Sequence, residues 1–410
     1  MELKNNKYLV QGLDLVDICG KFGSPLYLYD ASIIASQVDK MKHAFEGLNL
    51  RIKFAVKSLS NISILKLMKK LGTGLDVVAI EEVHLGIKAG IDPQDILYTP
   101  NSVSFDEVKE GVRLGVRINI DNISILEQFG HEYHDSIPVS IRINPHIMAG
   151  GNVNISTGHI DSKFGISVMQ IRHVHRIVKA NNLRISGIHM HTGSDILDPD
   201  AFIQMANISF DIAREFKDLE FIDYGSGFKV SYREGDVTTD ISALGKKLGK
   251  AFKNFCKDYG RDLAIWFEPG KFLVSESGLL LVRANVIKTT PATVFVGVNS
   301  GMNHLIRPMM YNAYHEILNI SNPHGTKRIY SIVGYICETD TLGADRKLNE
   351  VREGDILAIK NAGAYGFAMS SNYNSRRRPA EVLVINGEAR LIRKPETMDD
   401  IFRNMIEIEI

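Results

Sequence analysis

The sequence predicts an α/β protein: a (β/α)8 TIM barrel joined to a second, mostly β domain. Three observations carry this. Strand-like runs alternate with helical periodicities eight times over about 250 residues, the arithmetic of a (β/α)8 barrel. Polar and glycine-rich residues collect just past the strand ends. After about residue 283 the helical pattern thins into short strand-like runs separated by turn residues. The barrel strand candidates are 51–56, 74–78, 95–98, 116–120, 138–143, 185–190, 220–224 and 263–268. Helical periodicity between them includes Ile62–Leu71, Glu81–Ala89, Phe105–Leu114, Val168–Ala180, Ala201–Phe216 and Ile241–Tyr259. An open doubly wound sheet is the alternative. It is disfavoured because no Gly-x-Gly-x-x-Gly follows the first strand.

Residues 1–32 read as an extended arm, with strand-like runs at Tyr8-Leu9-Val10 and Pro25-Leu26-Tyr27-Leu28-Tyr29 on either side of a helix at 13–22. Later strand candidates are 294–298, 329–336, 355–359, 381–385 and 389–392. The arm is expected to add strands to the β domain, with the barrel inserted between. The expected division is therefore 1–32, 33–283 and 284–410. A chain of 410 residues is long enough for two domains. Lys+Arg and Asp+Glu are both 48, so no basic excess points to nucleic acid. No apolar run approaches membrane-spanning length, and the first residues lack a signal-peptide core. Three scattered cysteines, Cys19, Cys256 and Cys337, fit reduced thiols, so a cytoplasmic location is expected. Without a Cys-x-x-Cys pair, no structural zinc is expected.

In a (β/α)8 barrel the chemistry sits where strands end. Phe54-Ala55-Val56-Lys57 ends the first strand candidate in a lysine. Desolvation there favours the neutral amine, which can form a Schiff base; the alternative is a lysine that snorkels to water. Asp76 lies in strand two, Arg142 and Asn144 end strand five, and His189 and His191 end strand six. His189 and His191 could form a metal pair, but no third ligand has matching sequence spacing and no metal is expected; the rival reading is a barrel hydrolase with metal on His189, His191 and Asp76. Gly225-Ser226-Gly227 follows strand seven, where such barrels commonly bind phosphate through close backbone N–H groups. Glu268-Pro269-Gly270-Lys271 follows strand eight; Glu268 is either a salt-bridged structural acid or a partner for a protonated ring nitrogen. In the β domain, Arg307 near Tyr311 suits a carboxylate, Cys337-Glu338 sets a thiol beside acids, and Gly363-Ala364-Tyr365 is a small-residue loop with one phenol. Residues 146–166 read equally as a lid or a plain long connection.

Taken as an ordered set, Phe-Ala-Val-Lys57, Gly187-Ile-His-Met-His191-Thr-Gly-Ser194, Gly225-Ser-Gly227, Glu268-Pro-Gly, Leu305-Ile-Arg307-Pro, Cys337-Glu338 and Gly363-Ala-Tyr365 resemble the pyridoxal-phosphate-dependent decarboxylases with an alanine-racemase-like barrel. The match is nearest to their diaminopimelate decarboxylase branch. That resemblance implies Lys57 as the Schiff-base lysine, His191 stacked on the pyridine ring and Glu268 on the ring nitrogen. It implies phosphate contacts from Ser194, the Gly225–Gly227 loop, the Pro269-Gly270 turn and Tyr365. It implies substrate contacts from Lys271, Arg307, Tyr311, Glu338 and Tyr365, with Cys337 as proton donor after carbon dioxide leaves. It also implies a homodimer in which Cys337 and Glu338 cross the interface. The implied reaction turns meso-diaminopimelate into L-lysine; the runner-up is decarboxylation of ornithine, arginine, lysine, carboxynorspermidine or a carrier-bound glutamate. Lys271 replaces the commoner arginine, Ser226 interrupts the usual glycine triplet, and Glu338-Thr339-Asp340 replaces Glu-Ser-Gly-Asp.

Overall fold

In the computed structural model, residues 1–147, 160–191 and 193–410 are described. The chain divides into two compact units. One holds 36–230 and 237–273; the other holds 1–35, 231–236 and 274–410.

The first unit is the barrel. Its strands are β1 (Leu50–Ala55), β2 (Gly74–Val77), β3 (Ile96–Tyr98), β4 (Arg117–Ile120), β5 (Val139–Asn144), β6 (Ile185–His189), β7 (Phe221–Asp223) and β8 (Ala264–Phe267). All neighbours pair parallel, and β8 pairs with β1 to close the ring. Outward residues such as Phe54, Leu75, Ile118, Ile141, Ile188, Ile222 and Ile265 are buried apolar side chains. They follow the two-residue period of a pleated strand. The helices start where the sequence offers caps. Asn61 accepts from Ser63 N–H, Ser104 from Glu107 N–H, and Asp240 from Ala243 N–H. Each satisfies an N–H that the first helical turn leaves without a partner.

The second unit is built on a sheet in the order Thr341–Asn349, Lys327–Val333, Val294–Val298, Gly278–Thr289, Leu26–Asp30, Ala380–Ile385, Glu388–Arg393. Leu26–Asp30 lies between an antiparallel and a parallel neighbour, so the arm is an interior strand. The expected arm strand Tyr8-Leu9-Val10 instead falls within a small separate sheet of Glu2–Lys4, Lys7–Val10 and Leu13–Asp14. A core of Leu15, Ile18, Leu26, Leu28, Leu279, Leu281, Ile356, Val382 and Val384 backs this unit. The divisions fall at 35/36 and 273/274, earlier at the second than the expected 283/284. The physical reason is Gly278–Thr289, a long strand whose first half pairs with Leu26–Asp30 and Ile356–Ile359. Its apolar start, Leu279-Leu280-Leu281-Val282, reads locally like another barrel strand. Among the described residues no helix is long and apolar enough to cross a membrane. Residues 148–159 of the lid candidate lie outside the described residues.

Candidate active site

The barrel interior has two layers, and strand parity sorts them. Lys53, Leu97, Phe221 and Trp266 occupy the lower layer. Phe221 stacks on Trp266 with centroids 3.6 Å apart, and the Lys53 ammonium lies 4.4 Å from the Trp266 centroid. Two residues further along the strands, the inward positions turn polar: Asp76, Thr99, Asn119, His189, Asp223 and Glu268, all buried. They meet across the ring. Asn119 of β4 lies 2.7 Å from His189 Nδ1 of β6, and His189 Nε2 lies 3.3 Å from Glu268 Oε2 after β8. Neither pair belongs to adjacent strands, so both contacts run through the interior. A polar layer inside a barrel marks chemistry, since buried polar groups are costly without partners.

Lys57 stands on a single 3-10 turn, Val56–Ser58, just past β1. Its amine donates to Asp76 Oδ2 at 3.2 Å, with 44% of its side chain exposed. The desolvation expected at the strand end is therefore only partial: the side chain is half-exposed beside a buried acid, because β1 ends at Ala55. Burial, with Glu268 nearby, raises the Asp76 carboxyl to about 6 despite Lys57. Burial and the Arg142 guanidinium hold the His191 imidazole well below its usual range, so that ring is neutral.

The glycine turn has no room for side chains. Gly225 has φ +59°, and a Cβ there would stand 2.6 Å from His191 Nδ1. Gly227 has φ +108°, and its Cβ would stand 2.3 Å from the Gly193 carbonyl, next to Ser194. Ser226 N–H donates to His191 Nδ1 at 3.3 Å. Gly225 N–H donates to Asp223 Oδ1 at 2.8 Å, and its carbonyl accepts Glu268 N–H at 2.6 Å. Thus Asp223, the glycine turn and Glu268 are tied together. The Pro269 carbonyl accepts Ala55 N–H at 3.3 Å, and a Cβ on Gly270 would approach Ser58 to 3.1 Å. Ser226 therefore costs the turn little, because the close approaches belong to the glycines on either side. Lys271, expected to grip an anion, pairs with Asp195 Oδ1 at 2.6 Å.

Burial pushes the Glu268 carboxyl up, but facing His189, with help from Lys57, outweighs it and brings it to about 2. Burial and neighbouring Glu268 raise Asp223 well above the usual carboxylate range. Glu268 Oε1 is buried with no partner among the described residues. A bare anionic oxygen beside a glycine cradle and an amine fits a group with a protonated ring nitrogen, an anionic tail and an aldehyde. The companions of His189 are Asp223 and Glu268 rather than the residues of the metal reading. Ligand atoms of His189, Asp223 and Glu268 lie within 4.8 Å of one another, whereas His191 and Asp76 are not part of the trio.

The β unit holds the remaining candidates. Arg307 opens the helix Arg307–Tyr311 and is buried. Its Nη2 donates to Tyr232 Oη at 3.2 Å, while the Tyr311 centroid lies 5.9 Å from the guanidinium carbon. Tyr232 is a phenol that sequence reading missed; residues 231–236 interrupt a barrel segment yet belong to this unit. The exposed Cys337 thiol donates to Asn374 Oδ1 at 3.1 Å. Glu338 Oε1 accepts Tyr373 O–H at 2.5 Å. Tyr365 has φ +55°, in the left-handed region.

This geometry agrees with comparison to known proteins. The family described as pyridoxal-dependent decarboxylase, pyridoxal binding domain, matches residues 31–275, so the class is that of pyridoxal-dependent decarboxylases. A diaminopimelate decarboxylase from Methanothermobacter thermautotrophicus is 37% identical over 96% of this chain and 94% of its own. The diaminopimelate decarboxylase structure from M. jannaschi superposes with TM-score 0.92 at 31% identity, covering 99% of this chain and 98% of that one. One from Helicobacter pylori, complexed with L-lysine, gives TM-score 0.88 at 33% identity over 95% and 98% of the two chains. The chain belongs to the diaminopimelate decarboxylase family.

Proposed function

We propose that this chain removes one carboxylate from meso-diaminopimelate to give L-lysine and carbon dioxide, with pyridoxal phosphate as its cofactor. The observation that carries this reading is Glu268, a buried carboxylate held ionised with one oxygen unpartnered, in a chain of the pyridoxal-binding class. When bound, the cofactor's protonated ring supplies an electron sink for the pair left by the departing carboxylate. Glu268 keeps that ring nitrogen protonated by offering it an anion. Lys57 is the amine that tethers the aldehyde, and Asp76 beside it takes or returns a proton. His191, neutral, lays a flat face on the ring without adding positive charge against the protonated nitrogen. Ser194, Gly225, Ser226, Gly227, Gly270 and Tyr365 hold the phosphate, with Pro269 fixing the turn. Lys271, tied to Asp195, adds a single-point cation where an arginine fork would grip two oxygens.

On the β unit, Arg307 and Tyr311 bind the substrate's distal carboxylate and Glu338 its distal ammonium. Cys337 gives a proton to the carbon that carbon dioxide leaves. A diamine precursor such as ornithine has no distal carboxylate, so it gives Arg307 no partner. The L-lysine complexes of related diaminopimelate decarboxylases support this product. We infer a cytoplasmic homodimer, with Cys337 and Glu338 serving the partner's site; three free cysteines support a reducing compartment. The test is carbon dioxide release across meso-diaminopimelate, lysine, ornithine and arginine. Release confined to meso-diaminopimelate is expected. Faster release from lysine or ornithine would replace this reading with a polyamine-related decarboxylase, and a colourless zinc protein with no release would replace it with a metal hydrolase.

A further inference from the structure

Glu268 is aimed by residues to which no sequence motif gave that role. The Asn119 side chain is fully buried and spans the barrel interior. Its amide nitrogen stands 2.7 Å from His189 Nδ1 and 3.2 Å from Thr99 Oγ1. Ser140 Oγ stands 3.0 Å from Asn119 Oδ1 and 3.1 Å from the Ile118 carbonyl, and the amide nitrogen faces the two acceptors His189 Nδ1 and Thr99 Oγ1. An Nδ1 that accepts from an amide leaves the imidazole proton on Nε2. Buried Nε2 makes no aligned hydrogen bond among the described residues and stands 3.3 Å from Glu268 Oε2.

On the other side, Asp223 Oδ1 accepts Gly225 N–H, while Oδ2 has no partner. Two buried carboxylates so close cannot both be satisfied as anions, and a proton on Asp223 resolves them: it can point at Glu268. The groups facing Glu268 are Lys57 after β1, Asp76 of β2, Arg142 of β5, His189 and His191 from β6, and Asp223 of β7. Among these, His189 is the nitrogen donor closest to Glu268 Oε2 whose other ring nitrogen is already engaged. The same three side chains have ligand atoms close enough to one another for an ion. The Asn119 amide on Nδ1 and the Gly225 N–H on Oδ1 serve a proton network equally well and need no ion.

We infer that His189, oriented by Asn119, is a positioning residue. It keeps Glu268 an anion and sets how that carboxylate faces the cofactor's ring nitrogen. The logic is that of a histidine whose tautomer is set by the group behind it. The inference rests on the pyridoxal-phosphate reading of the site and goes beyond it, because no motif of the resemblance includes Asn119, His189 or Asp223 in a role.

The test uses holoenzyme loaded with cofactor labelled with nitrogen-15 in the ring. Wild type, His189→Leu, His189→Gln and Asn119→Leu are compared. Wild type is expected to show a protonated ring nitrogen across the neutral range. In His189→Leu the nitrogen shift should move toward the unprotonated form, and the visible band should titrate at lower pH. kcat should fall about tenfold or more with KM little changed, the scale of losing an orienting partner. His189→Gln, which restores an N–H, should recover much of the nitrogen shift, and Asn119→Leu should fall between. A His189→Leu protein with wild-type melting, ring-nitrogen shift and pH profile would overturn the inference. So would a stoichiometric metal released by His189→Leu. If wild type itself lacks a cofactor band, the pyridoxal reading fails rather than this one. If His189→Leu does not fold, the Gln and Asn119 variants carry the test through the same shift.

Discussion

Strand β1 and the turn after it carry two lysines, four residues apart, and they have opposite circumstances. Lys53 is 2% exposed, donates to the Asp95 carbonyl at 2.9 Å and lies over Trp266. Lys57 is at the open mouth, on a turn, beside the acid Asp76. Burial lowers the Lys53 amine from 10.5 to about 8, so by chemistry alone Lys53 looks like the better nucleophile. What separates them is company. Around Lys53 are an aromatic pair, a backbone carbonyl and Asp95, with no glycine turn following β7 or β8. Around Lys57 the interior is lined with groups that hold charge in fixed places. A perturbed lysine marks a tight fit as readily as a reactive site, and only the surrounding set tells which.

The comparison breaks most sharply at the lysines themselves. Lys57→Ala should abolish decarboxylation and the visible cofactor band, whereas Lys53→Met should keep both; absorbance and carbon dioxide release read the two. Cys337→Ala should keep the cofactor band but lose about a hundredfold to ten-thousandfold in turnover, the range for a positioned proton donor. Unchanged turnover would remove Cys337 from the mechanism. Gly225→Ala should come next. Its Cβ would collide with the His191 ring at 2.6 Å while adopting a φ of +59° that costs a side chain about 1 kcal/mol or more. Weaker cofactor affinity, measured by titration of apoenzyme, is expected, with folding retained. The smallest effect belongs to Lys53. The folded chain gives up this proton near pH 8 and the unfolded chain near 10.5, so the cost of the buried charge is full below pH 8 and fades up to 10.5. Relative to Lys53→Met, wild type should gain at most about 3 kcal/mol of unfolding free energy across that window, measured by urea titration.

Much of the fold was legible because barrel strands repeat strongly and end in chemically distinct residues. Lys57, His191, the glycine turn and Glu268 stood out at strand ends. Asn119, Asp223 and Thr99 did not, since each is one polar residue inside an apolar run. The signal that could have found them is parity. Counting two residues back from Asn101, Asp121 and Gly225 lands on Thr99, Asn119 and Asp223, the inward positions of the polar layer. Thr341–Asn349 was missed for a different reason: Gly343, Asp345 and Arg346 break the β-rich pattern, and pairing with Lys327–Val333 supplies what local preference does not. Tyr232 escaped because residues 231–236 leave the barrel segment to join the other unit, a non-local fact with no local mark.

The central claim is that the amine at the barrel mouth, and not the buried one below it, carries the cofactor. Borohydride reduction of the yellow holoenzyme followed by peptide mass mapping tests it directly. The account predicts a pyridoxyl-phosphate adduct on the peptide containing Lys57, with Lys53 and Lys271 unmodified. An adduct on either of those lysines, or none on any, would contradict it.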